Sequence, residues 1–161
     1  MAADKTVAVI GAGRASEAVT ELARAVGREI GRRSAILVCG GLTGVMEAAA
    51  RGARETGGHT LGILPNYDRT SANPHIEFAI ATGMGEARNV VVIATADAVI
   101  ALEGAGGTLA EIGFALKLGR PVVAVRARQN LSNIEHSNEP AEAVELALRL
   151  ANNPPAGTKD G

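Results

Sequence analysis

The sequence predicts an α/β fold of the three-layer, Rossmann-like kind: a parallel sheet with helices on both faces. Three observations carry that expectation. Short apolar runs alternate with segments of helical period along the chain. Hydrophobic residues make up 47% of the 161 residues and aromatics only 2%, so the core must be Val, Ile, Leu and Ala, which suit buried parallel strands under Ala-rich helices. Dense glycine clusters begin at Gly11, Gly40 and Gly104, each just beyond an apolar run. In open parallel sheets ligands bind outside the carboxyl ends of the strands, so these three clusters are expected to converge on one edge.

The elements follow in order. Thr6 to Ile10 reads as a buried strand ending in Gly11-Ala12-Gly13. From Ser16 to Arg33 the residues Val19, Leu22, Ala23, Val26 and Ile30 recur at helical spacing, with Ser16 placed to cap the helix. Ala35 to Cys39 is a second strand, and Val45 to Glu55 a helix stopped by Gly57-Gly58. Thr60 to Leu64 is a third strand, and residues 66–75 form a polar loop. Ile76 to Thr82 reads as a fourth strand. The stretch 83–96 fits either a strand, through Val90 to Ile93, or a helix starting near Gly85; the helix is favoured because the strand Ala98 to Leu102 follows directly and needs a crossover. Leu109 to Leu118 is a helix, Pro121 to Val125 the last strand, 126–139 a polar loop, and Pro140 to Ala151 a final helix with Pro in its first turn. One domain over 1–152 is expected, with 153–161 a disordered tail.

Composition narrows the function classes. A formal net charge of −1 gives no global basic field for a nucleic-acid polymer or an anionic membrane, and the scarcity of aromatics argues against stacking on single strands. Cys39 is the only cysteine, so no intrachain disulfide and no multi-cysteine zinc site can form. His59, His75 and His136 lack metal-ligand spacing, and no metal is expected. Residues 1–5 lack the apolar stretch of a signal peptide, and 90–102 is too short to span a bilayer. The expected location is the cytoplasm.

The glycine clusters carry the chemistry. Gly11 and Gly13 resemble the start of a dinucleotide fingerprint, but Ser16 stands where its third Gly belongs and Cys39 where its ribose-binding acid belongs. Arg14 places a cation at this loop, for a ligand or for solvent. In Gly40-Gly41-Leu42-Thr43-Gly44, backbone amides and the following helix start suit an anion; no Gly-Lys-Ser/Thr follows, so it is not a P-loop. Glu47 fits either the helix dipole or a ligand. Gly104, Gly106, Gly107 and Thr108 form a nest-like loop suited to a phosphate, and Thr108 with Glu111 has capping-box spacing, the alternative being a carboxylate that acts on substrate. Arg88 near a helix start faces the dipole with the wrong sign, which makes sense opposite an anion or paired with Glu86.

Together these motifs resemble the Lonely Guy (LOG) superfamily, also called lysine decarboxylase-like, over roughly Val7 to Val125. The carrying segments are Gly40 to Glu47 with Val45-Met46-Glu47, Thr82 to Asn89, and Glu103 to Glu111 followed by Ile112 to Leu118. The subgroup most similar is that of short bacterial proteins resembling molybdenum cofactor carrier protein. LOG enzymes cleave the N-glycosidic bond of nucleoside monophosphates. By resemblance Arg88 and Glu111 match the catalytic pair, while Gly104, Ala105, Gly106, Gly107 and Thr108, with Gly40, Gly41, Thr43, Gly44, Met46, Glu47 and Asn89, surround the ligand. Glu103 replaces the Pro of the enzyme motif, Ala105 replaces a Gly, and Asn89 replaces a Lys. These departures weigh against hydrolysis more than against binding. The resemblance therefore implies a carrier or binding protein for a phosphate-bearing mononucleotide or molybdenum cofactor, requiring no other cofactor, with phosphoribohydrolase activity as the alternative and lysine decarboxylation discounted for want of a pyridoxal-phosphate lysine motif. It also implies a homo-oligomer, a dimer or higher, packed through helices beside the site.

Overall fold

Strand β1 (Thr6–Ile10) is apolar on both sides and takes the centre of a seven-stranded parallel sheet. On one side lie β2 (Ile36–Cys39), β3 (Thr60–Leu64) and β4 (Phe78–Ala81); on the other lie β5 (Ala98–Ala101), β6 (Val122–Val125) and β7 (Glu135–Ser137). Ala8 is in register with Val38 on one neighbour and Val99 on the other. The chain winds outward to β4 and returns to β5, so the order reverses at β1. The loops after β1 and β5 therefore flank the crevice where such sheets bind ligands. The computed structural model describes residues 4–127 and 131–153; the expected tail beyond Asn153 lies outside the described residues.

Alternation along the strands builds two cores. Val7 and Val9 face α1 (Glu17–Arg32), α2 (Val45–Glu55) and α5 (Pro140–Asn152); Ala8 and Ile10 face α3 (Arg88–Thr95) and α4 (Gly106–Lys117). Ser16 caps α1, its Oγ accepting from the Val19 amide at 3.3 Å. Among the described residues no helix is long and apolar enough to cross a membrane.

Four sequence expectations need correction or completion. The stretch 83–96 is helical: a short 3-10 turn, Gly85–Ala87, leads into α3. The polar loop 66–75 contains a 3-10 turn at Arg69–Ser71. Pro121 to Val125 is not the last strand. Glu135–Ser137 pairs with β6 through backbone hydrogen bonds, and as an exposed edge it needs no apolar pattern. Helix α4 starts at Gly106, not Leu109, because the Ala105 carbonyl already accepts from the amides of Thr108 and Leu109. Thr108 is therefore inside the first turn, and the helix has no side-chain cap; the expected Thr108–Glu111 capping box does not form.

Helices α1 and α2 cross at glycines. A Cβ on Gly27 would lie 2.0 Å from the Ala49 carbonyl oxygen, and one on Gly52 2.0 Å from that of Arg24. Beside the crossing, Arg24 and Arg28 clasp Glu55, whose carboxyl their hydrogen bonds hold down to about 2. Alanine at an open helix site would gain about 1 kcal/mol of propensity. Here the backbone contact overrides it: Gly27→Ala and Gly52→Ala are expected to lower the unfolding free energy by about 1–3 kcal/mol in urea titrations. An unchanged or raised midpoint would contradict this packing.

Candidate functional site

A cleft of about 290 Å³ opens at the carboxyl edge of the sheet, beneath the crevice between β1 and β5. The loop after β1 contributes Gly11 and Gly13, the loop after β2 contributes Gly40, and α2 contributes Met46. Helix α3 supplies Arg88 and Asn89, and the start of α4 supplies Gly107, Thr108 and Glu111, with Ala105 just before it. Four segments distant in sequence thus meet around one space.

Arg88 is 7% exposed. Its Nε donates to the Ile63 carbonyl at 2.9 Å, Nη2 reaches the Gly40 carbonyl at 3.4 Å, and Nη1 donates to Asn89 Oδ1. It forms no ion pair with a carboxylate among the described residues, so pairing with Glu86 at the surface does not occur. Of its five N–H groups, these bonds engage three, leaving one on each terminal nitrogen. Gly40 must be glycine for this arrangement, since a Cβ there would lie 2.7 Å from Arg88 Nη2 and 2.7 Å from Met46 Sδ.

Glu111 stands close to this guanidinium without pairing to it. Asn89 lies between them, its Oδ1 accepting from Arg88 and its Nδ2 reaching Glu111 Oε1 at 3.5 Å. Burial pushes the Glu111 carboxyl up to about 7, the Arg88 charge pulls it down, and Glu86 at the cleft rim pushes it up again. Burial likewise lowers the Arg88 pKa, but a guanidinium stays charged at neutral pH. The cleft therefore holds one fixed buried cation and a carboxyl that titrates near neutrality.

The glycines divide by what surrounds them. A Cβ on Gly11 would press on Val45, one on Gly41 on Leu64, and one on Gly44 on the Ala12 carbonyl; Gly41 and Gly44 also have positive φ, 77° and 70°. Packing within the chain accounts for these three. At Gly13, Gly106 and Gly107 the position of a Cβ is open space and φ is not positive. Their amides also have no acceptor among the described residues. Nothing among the described residues requires a bare backbone there. Ala105 has φ −93°, which any residue adopts, so its replacement of the family glycine strains nothing.

Several expected site residues lie elsewhere. Arg14 and Gly104 line a neighbouring cavity. Gly44 and Glu47 face a third, between α1 and α2, because Met46 turns toward the cleft and its neighbour in the helix toward the other side. Thr43 Oγ1 donates to the Gly13 carbonyl at 3.0 Å, tying the two loops together. Thr108 does line the cleft, but it is 4% exposed and packs over Gly104. Val9, Ile10, Ala12, Leu42 and Glu86 line the cleft and were not expected. Only their place at strand ends and beside Arg88 marks them in the sequence.

Fold and site together define a Rossmann-like α/β protein with a polar ligand-sized cleft at its topological switch point. The chain belongs to the SLOG cluster4 family, whose profile matches residues 4–152. An uncharacterized protein of Archaeoglobus fulgidus is 38% identical over 142 residues, 88% of this chain and 93% of that one. The molybdenum cofactor binding protein of Rippkaea orientalis superposes with a TM-score of 0.87 at 31% identity, covering 92% of this chain and 98% of that one. The molybdenum cofactor carrier protein of Chlamydomonas reinhardtii gives a TM-score of 0.86 at 27% identity, over 93% and 99%.

Glu111 generates a pH signature. Its carboxyl keeps a proton to about pH 7 when folded, against 4.5 for the ordinary group. Between those values the folded chain binds more protons than the unfolded one, so stability falls as pH rises through this window and stays lower above it. Glu111→Gln is expected to match the parent at about pH 5 and to exceed it at about pH 8 by on the order of 1 kcal/mol, read as urea midpoints. A variant whose midpoint tracks the parent's from about pH 5 to about pH 8 would contradict the assignment.

Proposed function

We propose that this protein binds a phosphate-bearing, nucleotide-like ligand, of the mononucleotide or molybdopterin type, and acts as a carrier rather than a catalyst. The observation that carries the reading is Arg88: a buried guanidinium solvated by carbonyl groups, with no carboxylate partner and two N–H groups unengaged among the described residues. Such a cation gains most from an oxyanion presented to its terminal fork. Gly107, with its open surroundings, lets the ligand approach the backbone closely. Glu86 and Glu111 supply acceptors for ring N–H groups such as those of a pterin or a guanine. The cleft volume is at the low end of small-molecule sites, enough for one ring system with one phosphate. No Cys or His lines it, so the chain offers a molybdenum centre no thiolate or imidazole. Cys39 is fully buried and its thiol is pushed up to about 11. The similarity to cofactor carriers of two organisms supports the same reading.

Phosphoribohydrolase activity is the second reading, because Arg88 and Glu111 flank one cleft. An ionised Glu111 would stabilise the positive sugar as the base departs. Its carboxyl, raised to about 7, is compatible with either reading; the departures Glu103, Ala105 and Asn89 from the enzyme motif favour binding over turnover. One experiment separates them. GMP is expected to raise the melting temperature. Arg88→Lys, which keeps the charge but loses the fork, should weaken GMP by about tenfold or more. Glu111→Gln should retain binding, and chromatography should find no free guanine. Release that disappears in Glu111→Gln would make this a hydrolase, and no binding at all would overturn the ligand class.

We further infer that the chain is a homo-oligomer through α4. Leu109, Phe114, Leu116 and Leu118 are each about two-fifths exposed. Gly113, in the middle of that helix, has nothing of its own chain within 4 Å of a Cβ position. A mid-helix glycine costs about 1 kcal/mol, and a second helix crossing there gives it a reason. Phe114→Glu is expected to convert the oligomer to a folded monomer by light scattering with unchanged circular dichroism. A parent chain that is already monomeric at micromolar concentration would refute the inference.

A further inference from the structure

Beside the Arg88 cleft, across a ridge formed by Ala12 and Ala105, lies a second cavity of about 310 Å³. These two alanines line both spaces. The ridge is held by a hydrogen bond from the Ala12 amide to the Glu103 carbonyl at 3.2 Å, which fastens the loop after β1 to the loop after β5. The second cavity therefore lies on the same switch-point crevice as the first.

Its lining combines an apolar floor with two unused charges. Ala12, Ala15 and Val19 supply the floor; Arg14 and Glu103 stand at its walls. Both are exposed, and neither side chain forms a hydrogen bond or ion pair among the described residues. Glu103 lines this second cavity and not the Arg88 cleft. A carboxylate that accepts and a guanidinium that donates, over a floor of small apolar groups, suit a ring with N–H or hydroxyl donors next to an anion. That is the chemistry of a second nucleoside half.

We propose that the two cavities are lobes of one site, and that the full ligand is of the dinucleotide type. Its two ring-bearing halves would be joined by a pyrophosphate crossing the Ala12–Ala105 ridge. Arg88 holds the first half, as in the function proposed above, on which this inference rests. Arg14 and Glu103 hold the second. The two residues shared by both linings, Ala12 and Ala105, carry only methyl side chains.

The test is calorimetric titration of the full chain with GMP and with diguanosine pyrophosphate, GppG. Guanine carries the same aminopyrimidinone edge as a pterin and serves in both lobes. The parent chain is expected to bind GppG at least about tenfold more tightly than GMP. The double variant Arg14→Ala, Glu103→Gln, at exposed positions that leave the fold intact, should lose that advantage while holding GMP as the parent does. Equal affinity of the parent for the two probes would overturn the second lobe and leave the first reading standing. A tenfold loss of GMP affinity in the double variant would also overturn it, since the lobe would then belong to a single mononucleotide site. Failure of both probes to bind would overturn both readings.

Discussion

A guanidinium buried without a carboxylate is the constraint around which this protein's site is arranged. Arg88 cannot shed its charge at neutral pH, and its burial removes it from water. The fold solvates it instead with the Ile63 carbonyl at the end of β3, the Gly40 carbonyl after β2 and the side chain of Asn89 on α3. These three groups come from three different elements, two of the sheet and one helix, and the guanidinium ties them together. It also dictates sequence: Gly40 is bare because Arg88 and Met46 occupy the space a side chain would need. The same bonds leave the terminal fork short of partners, and structure and binding thus draw on one residue.

The neighbouring carboxyl follows from this arrangement. Were Glu111 to pair directly with Arg88, the cation would be neutralised and the cleft would have little attraction for an anion. Asn89 spans the gap, accepting from one and reaching toward the other. Glu111 is left half-buried and incompletely compensated, which is why its carboxyl holds a proton to about 7. An anion arriving at Arg88 adds negative charge beside Glu111 and favours the protonated form further. On the proposed function, ligand binding at neutral pH would be coupled to proton uptake.

Much of the fold was legible because it rests on local pattern. The limits of β1, β3 and α2 match the apolar runs and glycine stops residue for residue. The helix at 88–95 follows from the need for a crossover before β5. What escaped depends on distant partners. β7 is polar and is held by the backbone of β6. The start of α4 depends on whether glycines adopt helical angles, which Gly106 and Gly107 do. The site was legible as a meeting of glycine loops, with Arg88 and Glu111 among them. The division of labour inside those loops was not. Gly11, Gly41 and Gly44 answer to Val45, Leu64 and the Ala12 carbonyl, contacts no local motif encodes. Arg14, Glu47 and Glu103 point to other spaces because of where their loops and helices turn.

The central claim is electrostatic: an unpaired buried cation beside a carboxyl that it only partly compensates, both waiting on an anion. The most direct measurement is a carbon-13 NMR titration of the Glu111 side-chain carboxyl, in the free protein and with saturating GMP. The account predicts a midpoint near 7 in the free protein and a higher one with GMP, because the phosphate brings negative charge to Arg88. A free-protein midpoint in the ordinary carboxylate range, unmoved by GMP, would contradict it.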